Sequence, residues 1–375
     1  MTLSSYFQGG NNITTIGNIW EHNRYLLKKP RVIPRIIKGF FRRIVLRQPV
    51  LRTIDWAVTY RCNARCVMCS ARKLSDKRKE MTLEDRKNVW EQAKKLGVIH
   101  TQFTGGEPMC MGIDWMEKAI RDLDPENFLV CMSTNAQLLD DEKLARLHKA
   151  GMDTIQISLD STDPETHNQL RGLKNNYEHI MHLFRKAKEI GFVVGLGCVI
   201  SKSNIDEVKK LAEFTKKEKV MLCLNIASSP DNWKGVGKKY YQSFGKDMIE
   251  YEKYKEILDI PHARNDTFMN FTGKSGCPAG ERIYISAYGD VFTCPHVQIS
   301  HGNVLEEPLK DIWERMLKTE PYNEPSPTCR WAFNKEFYEK FVQPFEGREK
   351  RPVHIREVLA HEKKMKEKQA KARDK

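Results

Sequence analysis

Three cysteines lie within a stretch of eight residues near the start of the chain. Cys62, Cys66 and Cys69 belong to the segment CNARCVMC, which follows a short apolar run. Thiolates this close together on one loop can converge on a soft metal centre such as an iron–sulfur cluster. A structural zinc ion is the alternative, although such sites take four ligands and no fourth Cys or His lies nearby in the sequence.

A second, sparser set of cysteines lies more than 200 residues downstream. Eleven residues separate Cys277 from Gly289, four separate Gly289 from Cys294, and Cys329 follows later. The turn residues Gly289 and Asp290 predict a β-hairpin that brings Cys294 back towards Cys277. Three unrelated thiols are the alternative, because free cysteine is commonly buried.

The elements that must position these residues alternate between strands and helices. Short apolar runs that predict strands are followed by amphipathic stretches that predict helices, several of which end at glycine. The predicted strands are 53–59, 98–105, 128–134, 154–160, 192–200 and 220–227, and the predicted helices include 83–96, 140–150, 177–190 and 205–217. This alternation predicts a parallel sheet with right-handed crossovers, either doubly wound or closed as a barrel. In both, chemistry collects at the C-terminal ends of the strands.

The residues at those strand ends resemble the radical S-adenosylmethionine (SAM) superfamily. The C-x3-C-x2-C spacing after the first strand resembles the family's cysteine motif, and Gly105-Gly106-Glu107 after the second resembles its GGE motif. Met68 stands where the family usually has an aromatic residue, and Ala136 replaces the glycine expected after Asn135. The resemblance implies an α/β fold with a partial (β/α)6 TIM-like barrel.

The resemblance also implies the cofactor and its ligands. Cys62, Cys66 and Cys69 would hold a [4Fe–4S] cluster, whose open iron binds SAM. Reduction by a flavodoxin or ferredoxin would cleave SAM to a 5′-deoxyadenosyl radical. Glu107 would accept a hydrogen bond from the SAM ammonium, and Arg171 would bind its carboxylate. The other residues expected to bind SAM are Met68, Gly105, Gly106, Ser133, Asn135, Ser158, Asp160, Ser201, Asn204 and Asn225. Taken singly, such Ser and Asp residues are typical of turns and helix caps.

The second cysteine set resembles the auxiliary-cluster domains called SPASM and twitch. Cys277, Cys294 and Cys329 would hold a second [4Fe–4S] cluster, in a small domain built from a β-hairpin and helices. Ala332 occupies the position of the cysteine that usually closes the motif. Either another residue such as His296 completes the ligand set, or one iron stays open to bind substrate.

The net charge of +14 is concentrated at the two ends of the chain. Ten Lys or Arg and no acidic residue occur from Arg24 to Arg52, and eleven Lys or Arg face five acids from Gly347 to Lys375. The nearly neutral middle disfavours a nucleic-acid enzyme, which more often carries positive charge along its central groove. Residues 36–45 predict a helix with apolar and basic faces, suited either to an anionic membrane surface or to packing on the barrel.

The predicted organisation has five parts: leader 1–50, barrel 51–230, connector 231–270, auxiliary-cluster domain 271–335 and basic helical tail 336–375. The chain lacks a signal-peptide pattern, so we expect a cytoplasmic enzyme, peripheral on the membrane if the leader binds lipid. Its expected substrate is a small molecule, or a lipid or lipid-linked compound. Cys110, close to a strand end, is the candidate hydrogen-atom donor.

Two alternatives remain open at this point. The first is a maturase of ribosomal peptides, which would carry a peptide-recognition domain before the barrel, although the stretch before residue 53 is short. The second is a non-catalytic iron–sulfur or zinc protein that binds RNA through its basic ends. The second alternative gives no use to the GGE motif and the strand-end residues.

Overall fold

The computed structural model describes residues 28–69, 71–227, 249–260, 262–265, 277, 279–320, 322, 326, 329–345 and 352–373. Most of the predicted connector, and the leader before residue 28, lie outside the described residues. None of the helices described is both long and apolar enough to cross a membrane.

One mixed sheet runs through the described part of the chain. Its strands are β1 (Thr53–Thr59), β2 (His100–Gly105), β3 (Leu129–Thr134), β4 (Thr154–Ser158), β5 (Val193–Ile200), β6 (Met221–Ile226), β7 (Ala263–Asn265), β8 (Arg282–Ile285), β9 (Asp290–Cys294), β10 (Val297–Asn303) and β11 (Val353–His354). Their order is β11-β10-β9-β8-β1-β2-β3-β4-β5-β6-β7. Neighbours from β1 to β7 pair in parallel, which gives the predicted partial barrel.

The helices lie between the strands and after them in the chain. They are α1 (Ile33–Phe40), α2 (Leu83–Leu96), α3 (Ile113–Asp122), α4 (Asp141–Ala150), α5 (Pro164–Arg171), α6 (Asn176–Ile190), α7 (Ile205–Glu218), α8 (Tyr251–Leu258), α9 (Leu309–Lys318), α10 (Arg330–Phe333), α11 (Lys335–Phe337) and α12 (Ile355–Arg373). A π-helical turn, Phe41–Val45, continues α1.

Local capping explains why the helix ends agree closely with the sequence prediction. Thr82 and Asp85 form a reciprocal capping box at the start of α2, and Gly97 ends that helix in the left-handed conformation. Asp140 caps α4 through the backbone N–H of Lys143. These contacts satisfy backbone groups that a helix leaves unpaired at its ends, so they are encoded within a few residues.

The second cysteine set joins the same sheet, an arrangement that the sequence did not predict. Strand β8 pairs in parallel with β1, and β8 and β9 form an antiparallel hairpin with its turn at Ser286–Gly289. The hairpin itself was predicted. Its position next to β1 puts the auxiliary-cluster segment beside the strand that leads into the first cysteine loop.

Candidate functional site

The loop that carries the first three cysteines is held from two sides. On one side, the backbone N–H of Gly106 donates to the carbonyl of Thr59 at 2.8 Å, and that of Glu107 donates to the carbonyl of Arg61 at 2.9 Å. On the other side, the N–H of Arg65 donates to Arg171 at 3.2 Å, and the N–H of Val67 donates to Leu170 at 2.9 Å. Backbone hydrogen bonds therefore set the position of the loop before any ligand binds.

The two glycines of the GGE motif are required by this packing. A Cβ on Gly106 would lie 2.3 Å from the carbonyl oxygen of Arg61. A Cβ on Gly105, whose φ is +117°, would lie 2.4 Å from the carbonyl oxygen of Thr59. The structure thus assigns Gly105 and Gly106 a role in supporting the cysteine loop, and their contact with SAM stays a prediction.

Without a bound metal, burial favours the protonated form of the thiols in the first cysteine loop. Burial raises the pKa of Cys62 to about 12 and also raises the pKa of Cys66, and in both cases neighbouring cysteines add to the shift. Bound iron reverses this balance, because a metal cation stabilises the thiolate. N–H donors already face two sulfurs: Arg171 Nη1 lies 3.8 Å from Cys66 Sγ, and the backbone nitrogen of Ala64 lies 3.4 Å from Cys62 Sγ. Such donors stabilise the negative charge on cluster thiolates.

Glu107 is a buried link between the second and third strands. Its carboxylate accepts hydrogen bonds from Thr134 Oγ1 at 2.7 Å, from the backbone N–H of Asn135 at 2.8 Å and from the backbone N–H of Met109 at 3.1 Å. Burial nevertheless raises its pKa. A carboxylate has about four acceptor positions. One position therefore remains for the ammonium group that the sequence motif assigns to Glu107.

Asp160 and Arg171, predicted as separate SAM ligands, form a buried ion pair. Arg171 Nε lies 2.6 Å from Asp160 Oδ2, and Asp160 Oδ1 accepts a hydrogen bond from the backbone N–H of Val199 at 3.0 Å. Arg171 Nη1 also contacts Cys66 Sγ, so Arg171 connects the cysteine loop to the ends of β4 and β5. The sequence contained both residues but no sign of their pairing.

A buried polar network behind these residues was missed by the sequence analysis. The backbone N–H of Asp160 donates to His167 Nδ1 at 3.3 Å, and His167 Nε2 lies 3.0 Å from Asn176 Oδ1. Asn176 Nδ2 in turn donates to the carbonyl of Asn135 at 3.1 Å. Burial lowers the pKa of His167, which favours the neutral ring. Because Nδ1 accepts a hydrogen bond, the ring proton is assigned to Nε2. The network holds the ends of β3 and β4 at a defined separation.

Several of the remaining predicted SAM ligands already have partners within the protein. Ser201 and Asn204 bond to each other, since the backbone N–H of Ser201 donates to Asn204 Oδ1 at 2.8 Å, which is a helix-capping arrangement. Ser133, by contrast, accepts from Gln102 Nε2 at 2.5 Å. Ser158 and Asn225 are half-buried on β4 and β6, and Met68, within the cysteine loop, packs with Leu170 and Ala227.

Cys110 lies in the turn Pro108–Met111 that follows the GGE motif. Burial raises the pKa of its thiol, the neighbouring Glu107 adds to the shift, and the thiol faces the backbone N–H of Asn63 next to Cys62. The structure therefore places a protonated thiol beside the first cysteine loop. Its use as a hydrogen-atom donor stays a prediction.

Two cysteines of the second set, Cys277 and Cys294, interact electrostatically with the buried Tyr322. Burial raises the pKa of this phenol, and the thiols of Cys294 and Cys277 raise it further. Cys277 is held by its backbone N–H, which donates to Ser326 at 3.1 Å. Cys329 directly precedes α10. These cysteines fit an iron–sulfur cluster by their thiol chemistry.

His296, the residue named as a possible further ligand, packs beside Trp331. Its ring centroid is 5.4 Å from that of Trp331, two residues beyond Cys329. Ala332, where the family motif has a cysteine, is partly buried against the apolar core.

Within the described ranges, no three His, Cys, Asp or Glu side chains are placed to ligate a single metal ion, and this holds for both cysteine sets.

These features agree with comparisons to known families. Residues 56–215 match the radical SAM superfamily, and residues 277–336 match the SPASM iron–sulfur cluster-binding domain. The chain is a radical SAM enzyme with a C-terminal SPASM-type iron–sulfur domain. It therefore uses a [4Fe–4S] cluster with SAM and further iron–sulfur chemistry in the SPASM domain, as predicted.

Among curated proteins, the chain is similar to enzymes with different substrates. It is 24% identical over 291 residues to the AdoMet-dependent heme synthase of Methanosarcina barkeri, covering 70% of this chain and 82% of the relative. It is 28% identical over 294 residues to the GTP 3′,8-cyclase of Aquifex aeolicus, covering 70% and 89%. It is 22% identical over 314 residues to the mycofactocin maturase MftC of Mycolicibacterium smegmatis, covering 78% and 76%.

Solved structures confirm the fold. Streptococcus suis SuiB bound to its precursor peptide SuiA superposes with a TM-score of 0.56 at 18% identity, covering 84% of this chain and 71% of that one. The structure of anSMEcpe with bound AdoMet and the Kp18Cys peptide superposes with a TM-score of 0.57 at 16% identity, covering 79% of this chain and 98% of that one. The predicted fold class, with its partial TIM-like barrel, is thus confirmed.

Proposed function

We propose that this enzyme abstracts a hydrogen atom from a peptide substrate. The observation that carries the proposal is the set of similar proteins: MftC is a maturase, and SuiB and anSMEcpe have been solved with bound peptides. These similarities favour the maturase alternative over the small-molecule or lipid substrate that the sequence analysis put first. The non-catalytic RNA-binding alternative is set aside, because the chain is a radical SAM enzyme.

The residues of this chain have distinct roles under this proposal. Cys62, Cys66 and Cys69 would hold the [4Fe–4S] cluster, which with bound SAM would supply the radical chemistry of the family. Glu107 offers its remaining acceptor position to the SAM ammonium. Arg171 keeps one nitrogen on Cys66 while Asp160 neutralises its charge, which holds the guanidinium at the edge of the site.

The auxiliary site would act on the substrate side. Cys277, Cys294 and Cys329 would supply three thiolates, and either His296 or a substrate group would complete the ligand set. An open iron would anchor the substrate, whereas a fully ligated cluster would accept an electron from the substrate after hydrogen abstraction.

Iron analysis tests both proposed sets of cysteine ligands. Anaerobically reconstituted protein should hold about eight irons per chain, and replacing Cys62, Cys66 and Cys69 together by alanine should leave about four.

A small polar molecule is the second candidate substrate. It is favoured by the similarity to the heme synthase and the GTP cyclase, whose names specify non-peptide chemistry. These two relatives match at 24% and 28% identity, a level at which substrates commonly differ within one fold.

Deuterium transfer from substrate to 5′-deoxyadenosine distinguishes the candidate substrate classes before the substrate itself is identified. The source organism is grown in D2O, and its extract is separated into peptide, lipid and small polar fractions. Each fraction is incubated with reduced enzyme and SAM, and deuterium in 5′-deoxyadenosine is measured by mass spectrometry. The peptide fraction should give deuterated 5′-deoxyadenosine, and digesting that fraction with protease beforehand should abolish the signal. The triple-alanine variant is the control, and a signal confined to another fraction would refute the peptide proposal.

A further inference from the structure

The basic leader packs on the barrel where its helix begins. Val32, directly before α1, is fully buried with Ile99 and Leu129, and Ile36 of α1 packs against the same cluster. Ile99 directly precedes β2 and Leu129 begins β3. The helix therefore covers the N-terminal ends of the strands, opposite the cysteine loop at their C-terminal ends.

Polar contacts on both sides of the helix hold the leader in place. Lys29 Nζ donates to the carbonyls of Phe128 and Gly151, each at 3.0 Å, and pairs with Asp153 at 2.5 Å. Arg43 pairs with Glu281 at 2.5 Å. Part of the leader's positive charge is thus used inside the protein, as the barrel-packing interpretation expects.

The opposite face is apolar and open to solvent. Ile37 is 63% exposed, Phe41 53%, Val45 62% and Leu46 48%. Seven large apolar side chains are exposed in the described part of the chain, and these four lie within ten consecutive residues. Ile37, Phe41 and Val45 follow a spacing of four, which aligns them along one side of a helix. An apolar patch of this kind marks an interaction surface.

Unpaired basic residues border the apolar stripe. Lys38 and Arg47 are exposed and Arg42 is half-buried, and none of the three forms an ion pair with any described residue. No acidic residue occurs between Arg24 and Arg52 to offset them. An apolar stripe flanked by cations is the arrangement by which a helix binds in the plane of an anionic membrane surface.

We propose that the face formed by Ile37, Phe41, Val45 and Leu46, with Lys38, Arg42 and Arg47 around it, docks the enzyme on an anionic lipid bilayer. The apolar side chains enter the interface, and the cations meet lipid phosphates. The same helix keeps its other face on the barrel, so the two uses considered for the leader coexist on opposite sides. Because the docking face lies at the opposite end of the barrel from the cysteine loop, membrane binding leaves the site accessible and does not require a lipid substrate.

Vesicle co-sedimentation of the full chain tests the proposal. The protein should bind vesicles of phosphatidylcholine mixed with phosphatidylglycerol, should bind pure phosphatidylcholine more weakly, and should be released by high salt. The double variant Ile37→Ser/Phe41→Ser should bind at least roughly tenfold more weakly, because two apolar side chains no longer leave water. Lys38→Gln/Arg42→Gln should lose the preference for anionic vesicles.

A matched control uses exposed apolar residues elsewhere. Leu305 and Met365 are 51% and 43% exposed, and the double variant Leu305→Ser/Met365→Ser should bind vesicles like the wild type. The melting temperature of Ile37→Ser/Phe41→Ser should stay unchanged, since these side chains face solvent. Equal vesicle binding by this variant and the wild type would overturn the proposal. So would a wild-type dimer that this variant converts to a monomer, because a second copy would then be the partner of the face.

Discussion

Replacing Gly106 by alanine should displace the loop that carries the first cluster. An alanine Cβ would lie 2.3 Å from the carbonyl oxygen of Arg61 and 2.8 Å from the carbonyl carbon of Tyr60. Both are backbone atoms, and unstrained contacts between non-bonded heavy atoms lie near 3.5 Å or beyond. The loop must therefore move by about 1 Å, which lengthens the hydrogen bonds from Gly106 to Thr59 and from Glu107 to Arg61.

The expected cost follows from these contacts. Overpacking in a well-packed region destabilises by about 1–3 kcal/mol, and each lost hydrogen bond adds about 1 kcal/mol. With two hydrogen bonds affected, the total of about 3–5 kcal/mol acts on the segment that positions Cys62. The first cluster should therefore be lost or weakened, while the auxiliary cluster, which is held by distant residues, should persist.

The assay combines iron content with SAM cleavage. The Gly106→Ala protein should hold about four irons after reconstitution and should form little 5′-deoxyadenosine. The matched control is Gly195→Ala on β5, where a Cβ would lie 3.6 Å from Cys223 Sγ, an ordinary contact. This control should keep both clusters and wild-type cleavage. Full iron content and full SAM cleavage in Gly106→Ala would refute the role of this glycine in supporting the loop.

Two further predictions concern buried charges. Lys29→Ala should lower the free energy of unfolding by about 3–5 kcal/mol near neutral pH, because the buried Asp153 carboxylate loses its cation. Burial already raises the pKa of Asp153 to about 6, above the ordinary value of 3.8. A folded-state pKa above the unfolded one gives stability that is present at acid pH and is lost as the pH rises through the folded value. Loss of Lys29 should raise that folded-state pKa further. Denaturant unfolding should therefore show the variant recovering stability, relative to the wild type, as the pH falls towards about 6, below which Asp153 is protonated in both proteins. A pH-independent loss would show that the Asp153 charge is not the cause. Glu107→Gln should weaken SAM binding by about 1.5–3 kcal/mol, since it removes the charge that faces the ammonium. It should also lower the melting temperature, because its amide directs a donor at an existing donor. Calorimetric titration checks the affinity, and an unchanged dissociation constant would exclude Glu107 as a SAM ligand.

The sequence alone determined the class of chemistry and the order of the elements. The cysteine spacings and the GGE motif predicted the radical SAM family, and the strand over 53–59 and the helix over 83–96 have the predicted bounds. These features are local. A capping box, a left-handed glycine or a run of β-branched residues acts over a few positions, so its signal can be read along the chain.

Only the tertiary structure decided how distant residues share the site. Asp160 and Arg171 could each be matched to a SAM contact, yet their mutual ion pair depends on the path of the chain between β4 and α5. The glycines of the GGE motif serve a loop more than forty residues earlier, because β1 and β2 end side by side. The leader's apolar residues divide between the barrel and solvent, a division that amphipathic periodicity cannot assign. In each case the deciding contact lies between segments far apart in sequence, and no local pattern encodes which surfaces will meet.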